Sequence, residues 1–121
     1  MPRDVRTYLF HMQRAATKLS AFTSGKQFAD YERDEVLRSA VERQFEILGE
    51  ALGQLEKLDA DLAAQFTEHR RIIGFRNLLI HGYADVDDQL VWERLQTKLP
   101  VLRGEIEALL SDMQTRGEDL G

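Results

Sequence analysis

Apolar residues recur along this chain at steps of three and four. Val5, Tyr8, Leu9, Met12, Ala15, Ala16, Leu19 and Phe22 form the first such stripe, the period of a helix with one face turned toward a core. Thr23-Ser24-Gly25 follows, and Gly25 is placed to stop that helix. A second stripe runs through Leu37, Ala40, Val41, Gln44, Leu48, Ala51, Leu52 and Leu55, widened by Phe45 and Ile47. It predicts a long helix that begins near Asp30 or Asp34, either of which could cap it. A short piece from Asp59 to Phe66 turns the chain, and a third helix is expected from about His69 to Ile80. The last stripe is Leu90, Val91, Leu95, Leu99, Leu102, Ile106, Leu109, Leu110 and Met113, starting near Asp85 or Asp87. Carboxylates suit the positive end of a helix there. Pro100 lies inside this stripe and should kink it or split it in two. Strand-like alternation and repeats are absent from the pattern. The reading is one all-α domain over residues 1–121, an antiparallel four-helix bundle with short connections and a frayed tail after Thr115.

Two details bear on assembly. Gly49 and Gly53 lie four residues apart inside the second helix, where small residues would let another helix come close or would merely weaken it. The apolar faces of the second and fourth helices are wide, and Trp92, Phe45 and Phe75 add to what must be covered. Four short helices would leave part of this surface exposed, so a two-fold homodimer is expected.

Composition narrows the function. The chain has 121 residues and no cysteine, which excludes disulfides and thiolate metal sites. With no close cluster of histidine and carboxylate, no zinc site and no cofactor is expected. Asp85, Asp87 and Asp88 read as helix-capping residues rather than a cation site. No apolar run approaches the roughly 20 residues needed to cross a bilayer. The start, MPRDVRTYLFHMQ, carries charges where a signal peptide would be apolar, so a cytoplasmic location without membrane contact is expected. The net charge of −5 argues against a general polyanion binder. Yet the stretch from His69 to Ala84 has no acidic residue and holds Arg70, Arg71 and Arg76, leaving room for a local anion site.

That stretch carries the candidate chemistry, in RNLLIHGYADVD, residues 76–87. His81 and Asn77 are four apart and share a helix face. Arg76 is about 140° from His81 on a regular helix, but Gly82 should end the helix beside His81, and arginine is long enough to bend toward that end. Tyr83 lies just beyond. A fixed cation, an imidazole, an amide and a phenol near one helix end suit a phosphodiester. Arg76 would hold phosphate oxygens and His81 would move a proton at neutral pH. RNA brings its own 2′-hydroxyl nucleophile, so neither metal nor protein nucleophile is required. One such histidine leaves a second proton-transfer role open, which a second His81 across a two-fold axis would fill. Blander roles exist for each residue. His81 could be a helix-end histidine, and Arg76 an ion-pair partner of Glu46 or Glu50. Those two carboxylates could orient the site or form a structural polar strip, the latter being preferred. Tyr83 could be a half-buried packing residue. His11 and His69 read as surface or cap residues. Arg70 and Arg71 read as a solvated face, or as phosphate contacts if RNA docks here.

RNLLIHGY resembles the Arg-x4-His-x-Tyr motif of the HEPN superfamily, and specifically of HepT-like toxins. VLRSAVERQFEILGEAL resembles that family's second long helix, and HGYADVDDQLVWERL with LPVL its C-terminal part. The resemblance spans about residues 4–110. FTEHRRIIGF lacks the Pro-Trp often found in relatives. The resemblance implies a helical, dimeric ribonuclease toxin whose partner is a minimal nucleotidyltransferase antitoxin. It implies that Arg76 and His81 are the catalytic pair, working across the dimer interface, with Asn77 in support. It also implies that Tyr83 is the tyrosine that the cognate nucleotidyltransferase modifies with AMP to silence the toxin.

Overall fold

The computed structural model describes residues 5–120, with side chains as far as Thr115. Its elements are all helical. Helix α1 spans Val5–Thr23, α2 Phe28–Arg33, α3 Glu35–Leu58, α4 Ala60–Ala63, α5 His69–His81, α6 Asp88–Glu93 and α7 Leu99–Leu120. A 3-10 turn covers Tyr83–Asp85, and a π-helical turn, Arg94–Lys98, joins α6 to α7. The four-helix bundle expected from the apolar stripes is thus present: α1, α3, α5 and the rod made by α6, the π turn and α7. Helix α3 packs against both α1 and α5, and α1 against α7.

Local chemistry explains the boundaries. Gly25 follows α1 with φ at 74°, a left-handed geometry that glycine adopts without strain. Of the two candidate caps of the second stripe, Asp34 caps α3, while Asp30 serves the separate helix α2 from its third position, with Gln27 as the N-cap. Asp30 sits in the first turn of α2 and accepts the Gln27 N–H at 2.8 Å, and Asp34 caps α3 by accepting Leu37 N–H at 3.0 Å. Asp59 caps α4 in the same way, and Asp87 accepts Gln89 N–H at the start of α6.

Pro100 follows an interruption that divides the last stripe into α6 and α7 without ending the rod. The turn before it widens: Leu99 N–H bonds to Arg94 C=O, five residues back. A proline ring clashes with the carbonyl four residues earlier in an α-helix, and a π turn relieves that clash while the helix continues. The backbone stays helical to Leu120, where fraying was expected from Arg116. The side chains of that tail, Gly121, and the first four residues lie outside the described residues.

The core is continuous from Leu9, Met12 and Leu19 of α1, through Val41, Leu48, Leu52 and Leu55 of α3, to Phe75 and Leu79 of α5 and Leu95, Leu102 and Ile106 of the last rod. Phe45 and Phe75 meet edge to face at 5.2 Å, and Trp92 lies 5.5 Å from the fully buried Tyr31. Some apolar surface is left over, including Phe10, Leu78 and Val101.

Candidate functional site

Helix α5 turns Phe75 and Leu79 into the core and leaves Asn77, Leu78 and His81 exposed. Arg76 falls at the border between these faces. Opposite it on α3 is Gly49, buried and without a side chain. A Cβ built at Gly49 would lie 2.4 Å from the Arg76 Cβ and 3.2 Å from the Ile72 carbonyl oxygen. No side chain fits there, so α5 settles directly onto α3 and the stem of Arg76 crosses it. Gly53 has nothing within 4 Å, so the close approach is made at Gly49 and not at Gly53.

The guanidinium of Arg76 is then fixed by two acceptors. Its Nη2 lies 2.8 Å from Glu50 Oε1, and its Nη1 donates to Asn77 Oδ1 at 3.0 Å. Its Nε is buried without a partner. Gln54 donates to the other oxygen of Glu50 at 2.9 Å. Of the two carboxylates weighed as partners for Arg76, Glu50 makes the contact, while Glu46 lies 3.3 Å from Arg43. These groups surround an open cleft of about 190 Å³ between α1, α3 and α5, lined by Tyr8, His11, Arg43, Glu46, Glu50 and Arg76 among others. The Arg76–Glu50 pair is partly solvated, and pairs of that kind contribute up to about 1 kcal/mol.

His81 closes α5 and is exposed, but it does not line the Arg76 cleft. Arg76 reaches sideways to α3 instead of bending toward the helix end. Gly82 follows with φ at −113°, so its role is not left-handed geometry. A Cβ there would come within 3.1 Å of Leu78 Cδ1 and of the Leu78 carbonyl oxygen. Tyr83 begins the 3-10 turn and is 77% exposed, which removes the packing role weighed for it. Arg70 is exposed. Arg71 lies 3.0 Å from Glu68 and lines a different hollow, an apolar slot of about 120 Å³ walled by Phe45, Ile72, Phe75 and Leu99. Within one protomer the fold thus joins Asn77 to Arg76 by a hydrogen bond, while Asn77, His81, Tyr83 and Arg71 do not line the Arg76 cleft.

At the start of α5, Glu68 has φ at 54°. Its carboxyl is held below the usual carboxylate range, first by the hydrogen bond from Lys98 and then by the charges of Lys98, Arg71 and Arg94. His69 lies 3.3 Å from Glu56, in keeping with a structural role. His11 is exposed, as expected of a surface residue, and it also lines the Arg76 cleft. Its spacing from Tyr8 on α1 is the only trace of this in the sequence. Among the described residues no group of three or more histidine, cysteine or acidic side chains could hold a metal ion. No described helix is long and apolar enough to cross a membrane.

Comparison with known proteins adds to this geometry. The family described as Ribonuclease HepT-like matches residues 12–109. A Thermococcus cleftensis protein named "Probable ribonuclease HepT" is 30% identical over 109 residues, covering 90% of this chain and 98% of its own. A Caldanaerobacter subterraneus protein provisionally named an RNase is 31% identical over 105 residues, covering 87% of this chain and 93% of its own. Another with a provisional RNase name, from Methanocaldococcus jannaschii, is 25% identical over 119 residues, covering 97% and 96%. No solved structure gives a significant match.

Proposed function

The chain belongs to the HepT-like ribonuclease family, and we propose that it is a metal-independent endoribonuclease that works as a homodimer. The supporting observation is Arg76, fixed at the edge of an open cleft by Glu50 and Asn77, on the helix that ends in an exposed His81. In this reading Arg76 binds the scissile phosphate and stabilises the charge that builds on its oxygens. His81 of the partner subunit takes the proton from the 2′-hydroxyl as that oxygen attacks phosphorus. The exposed Asn77, Leu78 and His81 face is the surface that pairs with a second copy, which brings one protomer's imidazole to the other's guanidinium. The exposed Arg70 would make phosphate contacts outside the centre. Arg71 is already engaged by Glu68 and is the weaker candidate.

The biological setting in this reading is a toxin–antitoxin pair. The cognate nucleotidyltransferase attaches AMP to Tyr83, whose phenol is exposed on a turn two residues beyond His81. A charged adenylate there would exclude RNA from the imidazole and compete for Arg76.

Two experiments read the two parts. His81→Ala is expected to abolish RNA cleavage in EDTA and growth arrest on expression, with the helical content unchanged. Cleavage that survives this substitution would remove the mechanism. Intact mass of the wild-type protein, made with and without the nucleotidyltransferase, should show added AMP that disappears in Tyr83→Phe. Binding of the nucleotidyltransferase without toxicity or cleavage would leave a catalytically silent partner module instead.

A further inference from the structure

With a single His81 at each site, instead of the two that a shared two-fold centre would supply, the nuclease reading leaves one proton unaccounted for. Attack by the 2′-oxygen forms an O2′–P bond and releases a proton. Breaking the P–O5′ bond leaves an alkoxide that must gain one. His81 serves the first transfer. For the second, the fold offers a group that the motif does not contain.

His11 lies on α1, and it lines the same cleft as Arg76. Its ring is set edge-on to Tyr8, with centroids 5.7 Å apart at 89°. It is exposed, and neither ring nitrogen has a hydrogen bond or ion pair to another described residue. Both nitrogens are free to meet a ligand in the cleft. The charged groups around it are Arg43, Glu46 and Glu50 from α3 and Arg76 from α5. Arg43 is matched by Glu46 and Arg76 by Glu50, so the cleft is formally neutral apart from His11. A protonated imidazole tips it positive, as a phosphodiester site requires.

We propose that His11 is a second proton-transfer group of this nuclease, donating to the leaving 5′-oxygen of a phosphodiester held by Arg76. This rests on the nuclease reading above. The imidazolium gives its proton to O5′ as the P–O5′ bond breaks, leaving a 2′,3′-cyclic phosphate, a free 5′-hydroxyl and a neutral His11. His11 and Arg76 then come from one protomer and His81 from the other.

The test uses the full chain, an RNA carrying a mapped cleavage site, and the same RNA with sulfur replacing the bridging 5′-oxygen at that site. A thiolate leaves without a proton, so this substrate does not need the acid. His11→Gln is expected to slow cleavage of the all-oxygen RNA by about a hundredfold or more and to cleave the sulfur substrate at close to the wild-type rate. His81→Ala should be slow on both. Because His11 is exposed, His11→Gln and His11→Asn should unfold at the wild-type temperature. Wild-type rates for His11→Gln on the all-oxygen RNA would overturn the donor role, as would equal slowing on both substrates. In either case loss of cleavage in Arg76→Ala would leave the nuclease itself standing. Full activity in both Arg76→Ala and His81→Ala would overturn the nuclease reading and the donor with it.

Discussion

The position of Arg76 is set by what is missing across from it. Gly49 presents bare backbone, and the arginine stem occupies the space where a methyl group would be. Gly49→Ala adds that methyl to a tight helix contact, and overpacking of this kind costs roughly 1–3 kcal/mol. Alanine's better helix propensity recovers up to about 1 kcal/mol of it. The expected result is a lower urea midpoint and a fall in RNA cleavage of about tenfold or more, because α5 and its guanidinium shift together. Unchanged kcat/KM would show that Arg76 is not held by this contact. A glycine inside a long apolar stripe raises a close approach as one of two readings, the other being a merely weakened helix, so that possibility was readable from the chain. Which residue approaches was not, since α3 and α5 meet only in the fold, and Gly53 carried the same signal with no contact behind it. Likewise His11 could not be distinguished from an ordinary surface histidine until α1 was placed beside α5.

Among the elements, α2, α3 and α6 meet at a junction with an uncomfortable charge arrangement. Tyr31 is buried there, its hydroxyl lacks a partner, and burial followed by the charges of Glu42 and Asp88 pushes its ionisation well above the ordinary range. Glu42 is also raised, first by burial and then by Asp88 and Glu46, with Arg38 pulling the other way. A carboxyl raised in the folded state binds its proton more tightly there than in the unfolded chain. Its ionisation therefore opposes folding above the folded pKa, and the opposition fades as pH falls toward the unfolded value of 4.5. Glu42→Gln should raise the melting temperature at pH 7 and converge with wild type below pH 4.5. A melting temperature at pH 7 equal to or below that of wild type would contradict this account. Element boundaries were legible where capping chemistry is local, as at Asp34 and Asp87. The split into α2 and α3 was harder to see, because each of the two candidate caps looked like an alternative to the other. At Pro100 both signals were needed: the α-helix is interrupted by a π turn that absorbs the ring, while the core contacts of Leu95, Leu99 and Leu102 keep the rod running.

On the scale of the molecule, the separation of His81 from the Arg76 cleft is what the proposed dimer would bridge. If each site takes Arg76 and His11 from one protomer and His81 from the other, two inactive variants should complement each other. Mixing Arg76→Ala with His81→Ala makes heterodimers for about half of the population, each with one intact site of two, so about a quarter of wild-type activity is expected. A requirement for two His81 side chains at every site would leave the mixture inactive, and a strictly monomeric enzyme would do the same. RNA cleavage by the mixed and exchanged proteins, alongside their mass in solution, separates these cases. The all-α architecture was legible from the apolar period, because that period reflects burial directly. The assignment of side chains to one cleft or another depends on angles between helices, which the period does not encode.

The contact between Arg76 and Glu50 also bears on life among abundant metabolites. A guanidinium already occupied by an internal carboxylate gives a lone orthophosphate little reason to stay. A polymer that grips the surface at several points at once can evict the carboxylate. Such a centre would idle in a solution rich in free nucleotides and engage when a strand lies across it.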